Sequence, residues 1–156
     1  MAELFEAVLE LAEDHLVLGH RLSEWCGHAP MLEEDLALPN MALDLIGTAR
    51  SLYTYAGKVE GAGRGEDDLA YLRDERGFRN CLLVERANGD FARTMLRQFY
   101  FATLMEPYWQ AACLSGDEVL RGIAGKAVKE ATYFAKAGSG FRRGLVSMCG
   151  CPRFCK

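Results

Sequence analysis

A stripe at Leu4, Val8, Leu11, His15, Leu18, Leu22 and Trp25 alternates steps of four and three residues. Only a helix brings such positions onto one face. A second row, Phe5, Leu9, Ala12 and Leu16, widens that face, so a helix over residues 3–26 must pack against more than one neighbour. Gly27 stops it and Pro30 forbids easy continuation. After the turn Cys-Gly-His-Ala-Pro, the acids Glu33, Glu34 and Asp35 suit the positive end of a new helix. Its stripe is Leu38, Ala42, Leu45, Ala49 and Leu52, and it reaches about residue 56. Pro39 inside it predicts a kink or a late start, because proline removes one helical hydrogen bond. Segment 21–50 is therefore the core of a helix hairpin.

The rest of the chain repeats this plan after an irregular stretch. Residues 57–65 hold four glycines and read as a loop. A short helix is expected near residues 68–76, and Cys-Leu-Leu-Val-Glu-Arg at 81–86 is an apolar run of ambiguous type. Asp90 is placed to cap a third long helix over residues 91–113. That helix is apolar nearly all round, which suits a central position or an interface, and Pro107 should kink it. A fourth begins near Glu118 and runs to about Lys136. Four long helices with one long connection predict an all-α fold, a ferritin-like antiparallel four-helix bundle whose fourth helix is cut short.

Charge and composition divide the 156 residues unevenly. All 22 acids and 14 of the 18 basic residues fall in residues 1–136. The last twenty residues carry Arg142, Arg143, Arg153 and Lys156, no acid, three cysteines and four glycines. The expected organisation is a helical domain over residues 1–137 and an irregular, non-native tail over residues 138–156. The net charge of −4 disfavours nucleic acid and anionic membrane as partners. Glu3, Glu6 and Glu10 stand where a leader would need a basic and then an apolar stretch, so a cytoplasmic protein with cysteines as thiols is expected. Cys26, Cys81 and Cys113 lie in apolar surroundings and read as core packing.

A ferritin-like bundle raises the question of a di-iron centre, which takes a Glu from each of two helices and Glu-x-x-His from each of two others. The histidines are His15, His20 and His28, preceded at three residues by Ala12, Val17 and Trp25, so the sequence contains no Glu-x-x-His. No metal, cofactor or catalytic residue is therefore assigned. The weak alternative is a divergent metal site using Glu24, Asp44 and Glu130, which would make the chain a metal-binding oxidoreductase. Asn40 and Asp44, four apart, are either a buried polar pair or a solvated edge. Glu130 with Tyr133 has ligand-like spacing but the wrong second residue. His15 reads as a core or boundary histidine and His28 as a turn residue. Cys149, Cys151 and Cys155 offer three thiolates where zinc takes four ligands. A generic helical interaction module is the remaining reading.

The strings RLSEWCGHAP, LEED and ALDLIG within 21–50, DDLAYLRDERGFRN at 67–80, LLVE at 82–85 and NGDFARTMLRQF at 88–99 are long and specific. Together they resemble the PaaC family, the C subunits of bacterial ring 1,2-phenylacetyl-CoA epoxidase, over residues 4–133. The resemblance implies a ferritin-like fold without iron ligands, in a structural subunit of a multicomponent monooxygenase of phenylacetate catabolism. It implies a catalytic A subunit holding di-iron as direct partner, with the other epoxidase components and an NADPH-dependent reductase acting indirectly. Phe134 stands where the family usually has His, and the family continues beyond residue 156, so the chain reads as truncated.

Overall fold

The computed structural model describes residues 2–149, with side chains described for residues 2–136. Every regular element among them is helical, consistent with a ferritin-like helical bundle. The chain divides into two compact units, Met1–Asn88 and Gly89–Lys156.

The first unit is built on a hairpin of α1 (Ala2–Ser23) and α2 (Leu32–Glu60). Val8, Leu11, Leu18 and Leu22 of the anticipated stripe are buried, as are Leu38, Ala42, Leu45, Ala49 and Leu52 of the second. The two helices approach closely at Gly19, where a Cβ would stand 2.8 Å from Ile46 Cγ1 and 3.3 Å from the Ala42 carbonyl. Gly27, at φ 79°, reverses the chain between them. Asp35 Oδ1 then accepts from the amides of Gly27 (2.7 Å) and Ala29 (3.3 Å), so an acid in the first turn of α2 also secures the turn before it. α2 runs unbroken through Pro39 and ends at Gly61, whose left-handed backbone (φ 71°) lets its amide donate to the Gly57 carbonyl. The late start anticipated at Pro39 does not occur.

The long connection contains α3 (Glu66–Tyr71), a 3-10 turn (Glu75–Gly77) and α4 (Leu82–Glu85). The single helix expected at 68–76 is thus two shorter pieces, because the chain bends between Leu72 and Asp74 to bring Arg73 inward. Leu69 and Val84 anchor the connection in the core of the unit.

The second unit pairs α5 (Phe91–Ala112) with α6 (Glu118–Cys149). Asp90 caps α5 as its position predicts, accepting from the Arg93 amide at 2.8 Å. Asp117 does the same for α6 through the Leu120 amide at 2.9 Å. α5 continues through Pro107. The buried side of α6 is Ala124, Ala127, Ala131 and Phe134, mostly small residues that admit close packing.

Two expectations are corrected. α6 does not end near Lys136 but keeps helical backbone to Cys149. Gly138, Gly140 and Gly144 each cost about 1 kcal/mol of helix propensity, but extending an established helix is far easier than starting one. Residues 150–156, the rest of the expected tail, lie outside the described residues. The cysteines are the second correction. Cys26 and Cys81 are exposed and Cys113 is half-buried, all three as free thiols. Cys26 sits past the end of α1 and Cys81 at the N-cap of α4, positions where the backbone is at the surface.

Candidate functional site

The most developed polar constellation lies in the first unit, at Glu13. This residue is fully buried on α1, four positions after Leu9. Its Oε1 accepts from Arg73 Nη2 at 2.6 Å and its Oε2 from the Arg79 amide at 2.5 Å. All three nitrogens of Arg73 are engaged: besides the Nη2 bond to Glu13, Nε donates to the Leu69 carbonyl (2.6 Å) and Nη1 to the Gly77 carbonyl (3.1 Å), and the guanidinium lies 4.6 Å over the Phe78 ring. The bend after α3 is thereby tied to the middle of α1. Next to it, Asp14 Oδ1 accepts from the Cys81 amide at 2.7 Å, and burial pushes the Asp14 carboxyl up despite that bond. Tyr53 belongs to the same region. Burial, then the Glu13 charge, raises its phenol. The Glu13, Arg73, Arg79 and Asp14 bonds hold the connection on the hairpin, whereas the buried Tyr53 hydroxyl has no hydrogen-bond partner among the described residues. A saturated carboxylate–guanidinium pair offers no free base or nucleophile.

Adjacent to it, a half-open cavity of about 220 Å³ is lined by Leu16, Ile46, Tyr53, Ala70 and Tyr71, with Arg50, Glu66 and Asp67 at its polar side. Arg50 Nε donates to Glu66 Oε1 at 2.7 Å, and the Thr54 hydroxyl donates to Glu66 Oε2 at 2.7 Å. Thr54 and then Arg50 hold the Glu66 carboxyl below its ordinary range. The cavity is mostly apolar, and the Arg50–Glu66 pair closes its polar side.

His15 is buried in α1 with Nδ1 bonded to the Leu11 carbonyl at 2.7 Å. Burial drives its pKa down to about 4, so the ring is neutral at pH 7 with the proton on Nδ1. The core reading of His15 is the one the structure bears out. His28 stands in the exposed turn, its Nδ1 3.0 Å from the Cys26 carbonyl.

The three candidate metal ligands are placed as follows. Glu24 lies just past α1, its Oε1 on Arg21 Nη1 at 3.0 Å and its Oε2 on Asn88 Nδ2 at 2.8 Å. Asp44 is half-buried on α2 of the same unit. Asn40 is exposed and donates to the Leu36 carbonyl at 2.9 Å, so the pair with Asp44 is an edge of the helix and not a buried seam. Glu130, on α6 in the second unit, pairs with Lys126 at 3.4 Å. Among the described residues no three His, Cys, Asp or Glu side chains gather as a metal-holding group. Cys149, Cys151 and Cys155 fall outside the described side chains.

Sequence reading missed Glu13 and Arg73. The signal was there for Glu13: it sits on the second apolar row, in line with Leu9 and Leu16, where an unpaired acid would be costly. Nothing in the local sequence of Arg73 marks it, since its partners are sixty residues away in the chain or on its own bend.

Such a chain is an all-helical protein, consistent with a ferritin-like bundle. It is a member of the phenylacetic acid catabolic protein family, whose profile matches residues 1–147. It is similar to the C subunit of the 1,2-phenylacetyl-CoA epoxidase of Escherichia coli (strain K12), with 46% identity over 150 residues, 96% of this chain. The chain spans 58% of that relative's length. Among the described residues, no helix is long and apolar enough to cross a membrane.

Proposed function

We propose that this chain is a non-catalytic, C-type subunit of a multicomponent phenylacetyl-CoA monooxygenase. In this role it supports a di-iron A subunit that adds oxygen across the aromatic ring during phenylacetate breakdown. The observation that carries this reading is the 46% identity to a C-type epoxidase subunit in a sequence without any Glu-x-x-His. The saturated Glu13–Arg73 pair supports it, because the most buried ionic group is spent on architecture. Electrons would reach the partner from a reductase, and no step would pass through a side chain of this chain. We place the protein in the cytoplasm, in keeping with its free Cys26, Cys81 and Cys113.

The test is co-expression of the chain with an epoxidase A subunit, followed by affinity capture and iron analysis of both. The expected result is a complex whose iron follows the A subunit, with this chain alone holding none in stoichiometric amount. Stoichiometric iron on this chain, lost on Glu24→Gln, Asp44→Asn or Glu130→Gln substitution, would instead establish the metal-binding reading. Failure to capture the A subunit would remove the proposed role.

A further inference from the structure

The first half of α2 is chemically unlike the rest of its unit. Residues 22–49 contain Glu24, Glu33, Glu34, Asp35 and Asp44 and no Lys or Arg. Leu32, Leu36 and Leu43 fall at helical spacings of four and seven, along one line of the helix that also passes through Pro39. They are 70%, 61% and 66% exposed, and Met31 at the head of the line is 59% exposed. The opposite side of the same turns, Leu38, Met41, Ala42 and Leu45, is buried. This half of α2 is therefore apolar on two faces, only one of which is covered.

Acids flank the uncovered line on both sides, with Glu33 and Asp44 along one edge and Asp35 along the other. Asp35 is engaged by the Gly27 and Ala29 amides. Glu33, Glu34 and Asp44 form no salt bridge among the described residues. An aligned row of exposed leucines marks an interaction surface, and the unneutralised acids beside it set the sign of what fits there.

We propose that the 31–43 face of α2 docks an amphipathic helix of another protein, one presenting apolar residues at i, i+4, i+7 and i+11 between flanking Lys or Arg. A second copy of this chain joined through the same face would set acid against acid. An anionic membrane surface would meet the same repulsion. The exposed line on α5, Tyr100, Leu104 and Tyr108, has no one-signed flank and selects no partner. The inference goes beyond the role proposed above and stands or falls independently of it.

The experiment titrates two synthetic helical peptides into the complete chain, read by fluorescence anisotropy. Both carry leucines at the stated spacing; one is flanked by Lys and its twin by Glu. The Lys peptide is expected to bind about tenfold or more tightly than the twin, and more weakly as salt rises. L36S/L43S is expected to lower its affinity by a further factor of about ten while leaving the circular dichroism unchanged. Should that variant lose its fold, E33K/D44K replaces it and is expected to invert the peptide preference. Equal binding of the two peptides, no binding, or an affinity indifferent to these variants would overturn the proposal. So would a dimer in sedimentation that L36S/L43S abolishes, because the face would then belong to a second copy.

Discussion

Two buried titratable residues of α1 meet burial in different ways, one by pairing and one by staying neutral. Glu13 is an ion inside the protein and is tolerated because Arg73 and the Arg79 amide occupy both its oxygens. Glu13→Gln keeps the shape but leaves the Arg73 guanidinium, whose side chain is 13% exposed, without its counter-charge. Breaking a buried pair in this way costs about 3 kcal/mol. Urea denaturation should show that loss, and a change under about 1 kcal/mol would mean the pair is solvated. His15 is held neutral. Its folded pKa is about 4, against an ordinary value of 6.5, because burial penalises the imidazolium. The unfolded chain takes up a proton that the folded chain refuses between those values. The contribution of His15 to stability is thus complete above pH 6.5. It is lost as the pH falls to 4, by on the order of 3 kcal/mol in total. His15→Leu should flatten the fall in urea midpoint between pH 7 and pH 4.5. An unchanged pH slope in that variant would show that other groups govern it.

At the scale of elements, the glycines separate tight crossings from tolerant ones. A Cβ on Gly57 would stand 2.5 Å from the Arg64 carbonyl oxygen, a backbone atom that cannot swing aside. Gly57→Ala should lower stability by about 1–3 kcal/mol despite alanine's better helix propensity. At Gly122 and Gly125 on α6 an added Cβ would meet nothing within 4 Å, so Gly122→Ala should raise the melting temperature through a gain of up to about 1 kcal/mol. If Gly57→Ala leaves the melting temperature unchanged or raises it as Gly122→Ala does, the close approach at Gly57 is not a constraint. These contrasts also show what sequence can reveal. The stripes of α1 and α2 and the Asp90 cap were legible because each depends on residues within a few positions of one another. The bend at Arg73 was not, because its cause is a carboxylate sixty positions earlier. The length of α6 was not, because three glycines weigh on local propensity while the backbone outcome reflects continuation of an existing helix. The candidate site fared similarly. His15 was legible as a core residue from the stripe, whereas the occupation of Glu24 by Arg21 and Asn88 needed the fold.

At the scale of the molecule, the balance of charge and uncovered apolar surface decides how the chain behaves in solution. The net charge is −4 at pH 7, and it vanishes near pH 5.4. Leucines 32, 36 and 43 on α2 and Leu104 on α5 are exposed, with Tyr100 and Tyr108 beside the last. Net repulsion keeps such faces apart only while it persists. Light scattering of the chain is therefore expected to rise as the pH approaches 5.4 and to fall on either side. Part of any change below pH 6.5 comes from protonation of His15 in unfolded chains, so the measurement is made alongside His15→Leu, which lacks that component. The L36S/L43S and L104S/Y108S variants remove apolar area without altering charge, so their scattering maxima should stay near pH 5.4 and shrink. A maximum of undiminished height in both variants would show that association near the isoelectric point does not run through the faces of α2 and α5. Comparing the height between the two variants then ranks the faces by their share of the association that net repulsion suppresses at pH 7.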